Sequence, residues 1–171
     1  MNILLLGDSL IEYFDWQTQF PEHNCINQGM AGESAEGLLA RLKNTTYKYP
    51  EADMIFIMTG INNVAMGDIE LSDLYRTILE KISSAYAGAR IVINTLLPTT
   101  VDFISNDTII DINSSLRILS KETGAEFLDI YSLFVDRKGN PIREYLLDDG
   151  VHLSAEGYAV WAVALKRTIE D

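Results

Sequence analysis

Two short polar stretches at opposite ends of the chain, "LGDSL" at residues 6–10 and "LDDGVH" at residues 147–152, hold the residue types that acyl transfer needs. Ser9 follows an apolar run and sits beside Gly7 and Asp8. Alone it reads equally as a turn residue or as a nucleophile, because a serine hydroxyl attacks only when a base takes its proton. Histidine is the usual base, since its pKa lies near working pH. The chain has 2 histidines. His23 falls at the expected start of the second strand, at the wrong end of a sheet, and reads as structural. His152 lies in a polar turn just before the last helical pattern, well placed to reach across a crevice. A base histidine needs an acid on its other ring nitrogen. Asp149 precedes His152 by three residues, a spacing that sets two side chains next to each other in a tight turn. Asp148 competes for that role, but a spacing of four suits a non-helical turn less well. By itself the D-x-x-H string also reads as an acidic surface turn.

Acyl transfer builds negative charge on the carbonyl oxygen, and hydrogen-bond donors must be aimed at it. Three candidates exist. The N–H of Ser9 is one, if Ser9 opens a turn or helix, where N–H groups lack intrahelical partners. The N–H of Gly32 in "NQGMAGES" is a second, because glycine lets backbone approach a substrate closely. The side-chain amide of Asn62 in "GINN" is the third. Asn62 and Asn63 also read as a turn pair, since asparagine readily bonds its own backbone.

These groups matter only if the fold gathers them. Three apolar runs, "NILLLG", "ADMIFIMTG" and "ARIVINTLLP", are short and do not alternate, as in parallel strands buried on both faces. "NCIN" and "AEFLDI" are weaker strand candidates. Leu71, Leu74, Tyr75, Ile78, Leu79 and Ile82 mark one helix face, with Asp68 or Ser72 as its expected cap. Ile109, Ile112, Leu116 and Leu119 mark another, stopped by Gly124. Tyr158, Trp161, Ala162, Leu165 and Ile169 mark a third, and "AGESAEGLLARL" carries a further helix. Strands alternating with helices predict an α/β layered fold on a mostly parallel sheet. In such sheets ligands bind beyond the carboxyl ends of the strands. Ser9, the loop to Gly32, and Asn62 all follow strand candidates directly.

A chain of 171 residues suits one domain, residues 1–171. At this size about 70% of the unfolded surface can be buried without staples. The single cysteine, Cys25, reads as a buried structural thiol. A net charge of −12 argues against nucleic acid as a partner and mildly against highly anionic substrates. The start "MNILLLGDS" has no basic leader and is too short to span a bilayer. It reads as the first core strand, with the protein cytoplasmic and without a membrane span. No G-x-G-x-x-G follows a strand and no G-K-[ST] loop exists, which disfavours a nucleotide-binding module. The elbow G-x-S-x-G is absent because Ile11 stands where its second glycine would be.

Taken together, "GDSL", "NQGMAGES", "GINN" and "DGVH", in that order from Gly7 to His152, resemble the four blocks of the SGNH/GDSL hydrolase superfamily. The resemblance implies a flavodoxin-like three-layer α/β/α sandwich with five parallel strands in order 2-1-3-4-5. It implies Ser9 as nucleophile, His152 as base and Asp149 as its partner. It implies an oxyanion hole of Ser9, Gly32 and Asn62, and a structural, loop-fixing role for Asp8. Many members carry Asp after the block-three asparagine. Asn63 stands there instead, as in the subset similar to platelet-activating-factor acetylhydrolase. The expected activity is that of a serine esterase on small acyl esters, with acetylated carbohydrate as one substrate class and no metal or cofactor. Thioesters or lysophospholipids remain alternatives, as does a non-catalytic carbohydrate-binding module. Oligomeric state is left open. Loops 64–67 and 97–103 are expected to line the pocket.

Overall fold

The apolar runs become strands where expected. In the computed structural model, which describes residues 1–171, β1 is Asn2–Gly7, β2 Asn24–Gly29, β3 Met54–Met58, β4 Arg90–Asn94 and β5 Glu126–Leu128. They form one parallel sheet in the order β2-β1-β3-β4-β5. The interior strands explain their own composition: Ile3 to Leu6 and Met54 to Met58 are wholly buried. The outer strands β2 and β5 are half-buried, so their sequences are mixed and their signal weak. Cys25 lies on the outer strand β2 and is therefore half-buried rather than a core residue. Desolvation still pushes its thiol pKa up.

The helices are α1 (Ser9–Glu12), α2 (Trp16–Gln19), α3 (Ala35–Lys48), α4 (Ile61–Ala65), α5 (Ser72–Ala85), α6 (Asn106–Thr123) and α7 (Ala155–Glu170). Parallel neighbours require crossovers, and right-handed crossovers put α3, α5 and α6 side by side on one face. On the other face α7 packs against the segment after β1. Phe14 stacks on Tyr158 at 4.5 Å between ring centres, and Trp16 meets Trp161 edge-on at 5.0 Å. The result is a three-layer α/β/α sandwich. No helix is long and apolar enough to cross a membrane.

Ser34, Ser105 and Ser154 cap α3, α6 and α7 by accepting a backbone N–H. Gly124 ends α6 with a φ of 77°, as expected. The start of α5 differs from expectation. Leu71 holds the cap position, no side chain caps the helix, and Leu71 is buried in the core instead. Asp68 is turned toward Asn63, whose Nδ2 donates to it at 3.2 Å.

Candidate active site

The loop that carries Ser9 starts where β1 ends. Asp8 caps α1: its Oδ1 accepts the Leu10 N–H at 3.0 Å, and Ser9 becomes the first helical residue. The Asp8 carboxyl is fully buried, and its other oxygen has no partner. Burial, only partly offset by the Leu10 N–H, pushes its pKa up to about 7. Asp8 thus caps the turn that carries Ser9, the role the family resemblance implies for it. Tyr158 on α7 donates its hydroxyl to the Leu10 carbonyl at 2.9 Å and holds the same turn from below.

Asp149 and His152 share one turn. Asp149 Oδ1 accepts the N–H groups of Val151 and His152, at 2.9 and 2.8 Å. Its Oδ2 lies 2.7 Å from His152 Nδ1. Desolvation raises the Asp149 carboxyl, but those two N–H groups and the His152 ring outweigh it and hold the pKa below its ordinary value. His152 Nε2 then lies 2.9 Å from Ser9 Oγ, across 143 residues of sequence. The Leu146–Leu153 bridge and the Leu147 N–H to His152 carbonyl bond at 2.8 Å close the turn. The Thr100 N–H bonds the Gly150 carbonyl at 3.0 Å, so the loop after β4 supports the turn rather than adding chemistry. Asp148 has no part in this arrangement. His23 precedes β2, at the opposite end of the sheet.

Gly32 and Asn62 line the same cleft as Ser9 and His152. Gly32 has a φ of 74°, and a Cβ there would meet nothing, so its glycine serves the turn conformation. Asn62 opens toward the cleft from α4, and its Nδ2 donates to the Glu33 carbonyl at 2.9 Å. Asn63 is almost fully buried and is no mere turn residue. Its Oδ1 accepts the Ala35 N–H at 2.9 Å, and its Nδ2 donates to Glu36 at 2.8 Å and to Asp68. The cleft holds about 290 Å³ and is walled by Ile61, Ala65, Phe103, Ile104 and Val151. Phe103 comes from the loop expected at 97–103, whereas Ala65, within the expected 64–67 loop, is the last residue of α4. Tyr13, with ring centre 5.3 Å from that of His152, was not singled out in the sequence. Its only signal is its place four residues after Ser9, on the helical turn that Ser9 opens. No cluster of three or more His, Cys, Asp or Glu side chains is arranged to hold a metal ion.

The chain has relatives in sequence and in fold. Platelet-activating factor acetylhydrolase IB subunit alpha2 of Rattus norvegicus is 27% identical over 164 residues, which span 92% of this chain and 71% of that protein. The alpha1 subunit of Pongo abelii is 25% identical over the same length, with the same coverage. A solved structure described as a platelet activating factor from Streptococcus pneumonia superposes with a TM-score of 0.90 at 27% identity, over 98% of this chain and 83% of that one. The acetyl xylan esterase AlAXEase shares the fold, with a TM-score of 0.83 at 16% identity over 99% and 100% of the two chains. Residues 5–160 match the model of the GDSL-like lipase/acylhydrolase family, nearly the whole length over which the strands and the site are laid out. By that match the chain belongs to the GDSL-like lipase/acylhydrolase family of ester-cleaving hydrolases.

Proposed function

We propose that this chain hydrolyses short acyl esters, acetyl foremost, of neutral alcohols through an acyl-enzyme on Ser9. The observation that carries the reading is the unbroken line from Asp149 Oδ2 to His152 to Ser9 Oγ, at 2.7 and 2.9 Å. In the first half-reaction His152 Nε2 takes the Ser9 proton as Oγ bonds to the carbonyl carbon. The carbonyl π electrons move to oxygen, which faces the N–H groups of Ser9 and Gly32 and the Asn62 amide. Collapse expels the alcohol oxygen, which takes the proton from Nε2. Water repeats the sequence, giving its proton to Nε2, and the acid leaves as Ser9 regains its hydrogen. Asp149 keeps the proton on Nδ1 throughout.

Size and charge support the substrate class. A cleft of about 290 Å³ is at the small end of ligand sites, and no Lys or Arg lines it. The curated relatives are named as acetylhydrolases, and two acetylxylan esterases share the fold. Acetylated carbohydrate is therefore the first natural class to test. The assay uses p-nitrophenyl acetate, butyrate and octanoate with wild type and Ser9→Ala. Turnover should fall from acetate to octanoate and vanish in Ser9→Ala. Absence of Ser9-dependent turnover on all three esters would overturn the proposal.

A further inference from the structure

We infer that the buried Arg41–Glu33 ion pair sets the geometry of the oxyanion donors, making both residues positioning residues for ester cleavage. The inference rests on the proposed acyl-enzyme reading. Arg41, on α3, grips Glu33 with two nitrogens: Nε to Oε1 at 2.6 Å and Nη2 to Oε2 at 2.7 Å. The same Nη2 donates to the Gln28 carbonyl at 2.7 Å and to the Gly7 carbonyl at 3.4 Å. Those carbonyls belong to β2 and β1, and Gly7 is two residues before Ser9. Glu33 directly follows Gly32, and its own carbonyl accepts one Nδ2 hydrogen of Asn62. One guanidinium therefore joins the end of the nucleophile strand, the Gly32 loop and, through Glu33, the Asn62 side chain.

A planar amide has two N–H bonds. With one engaged by Glu33, the direction of the other is fixed, and that is the bond available to a developing oxyanion. Displacing Glu33 turns the amide and shifts the Gly32 N–H together. Both charged side chains are nearly enclosed, with 16% and 6% of their surface exposed, and neither lines the cleft. A buried ion pair is weakly justified by stability alone, because apolar replacements are often as stable. The chain also makes space for this one. A Cβ on Gly37 would lie 2.7 Å from Glu33 Cγ.

The test compares Arg41→Met, Arg41→Lys and Gly37→Ala with wild type on p-nitrophenyl acetate. For Arg41→Met the expected result is a kcat lower by about 10- to 100-fold with little change in KM. Affinity for a trifluoromethyl ketone, which forms a tetrahedral adduct on serine, should weaken in step with kcat. Arg41→Lys, able to reach Glu33 or the carbonyls but not all of them, should recover part of the loss. Gly37→Ala, whose Cβ would press on Glu33 Cγ, should lose kcat in the same way. If Arg41→Met does not fold, the other two variants decide. Folded variants whose kcat per active site equals wild type would overturn the inference. If wild type itself cleaves no ester, the proposed function fails, and NMR reads the positioning separately. The Asn62 side-chain amide and Gly32 N–H signals should move in Arg41→Lys, and unmoved signals would overturn it.

Discussion

At the scale of single residues, the site divides into groups that titrate and groups that hold them. Asp149 does both. Asparagine in its place keeps the acceptor for the Val151 and His152 N–H groups but points an N–H at His152 Nδ1, so the ring proton moves to Nε2 and the lone pair facing Ser9 is lost. Asp149→Asn should retain the wild-type melting temperature while kcat drops by about 10³- to 10⁴-fold; a kcat near wild type would remove Asp149 as the orienting acid. Asp8 titrates differently. The folded chain holds its proton until about pH 7, whereas an unfolded aspartate releases it near 3.8. A raised folded pKa means the carboxyl favours folding most below pH 4, progressively less as pH rises to 7, and no differently above that. Urea unfolding from pH 4 to 8 should show wild type losing stability relative to Asp8→Asn as pH rises to about 7. Parallel curves would contradict the raised pKa. Ser9, His152 and Asp149 could be singled out because the chain offers only 2 histidines, one of them at the wrong end of the sheet, while strand-end position and a spacing of three picked out one serine and one aspartate to go with the other. Tyr13 and Glu33 could not, since an aromatic or a glutamate in those places has no spacing rule to mark it.

At the scale of elements, the interior strands and the long amphipathic helices could be read directly, because burial on one stripe or on both faces forces a repeating pattern. The helices α1, α2 and α4 could not. They run 4, 4 and 5 residues, too short to pay for their own nucleation, and their formation depends on contacts made after folding. Asn63 is such a contact, joining α4 to the start of α3 and to the loop before α5. Aspartate there would face Glu36 and Asp68, whose carboxylates now share the Asn63 N–H groups. That amide is the main reason the Glu36 pKa sits low. Asn63→Asp should cost about 3 kcal/mol of stability at pH 7 and recover part of it near pH 5, when one carboxyl of the three takes a proton. Equal losses at both pH values would show that repulsion is not the cause.

At the scale of the whole molecule, the cleft lies at one end of the sheet and two ion pairs between elements lie at the other. The carboxyl ends of β1 and β3 lead into the loops of the cleft. At the far end, Arg90 pairs with Glu126 in a fork at 2.7 and 2.8 Å, and Arg76 pairs with Glu122 at 2.6 Å. The Arg90–Glu126 pair is more than one-third exposed, where water screens it. Arg90→Ala should lower stability by less than about 1 kcal/mol and leave kcat/KM on p-nitrophenyl acetate unchanged. A fall in kcat/KM would mean the two ends are coupled through β4. Alternation of strands and helices made the crevice position predictable, and the family resemblance supplied the strand order, while the side chains binding one loop to the next were marked by neither. Loop-to-loop hydrogen bonds join residues that no periodicity relates.

The shared turn of Asp149 and His152 has an evolutionary consequence. Because one carboxylate both folds the turn and holds the His152 ring, the residues proposed as acid and base form a single heritable unit of four consecutive residues. A lineage can lose both by one deletion, and an engineer can graft both by one insertion onto a sheet that already presents a serine. In folds where the acid arrives on a separate strand, the same gain takes two independent events.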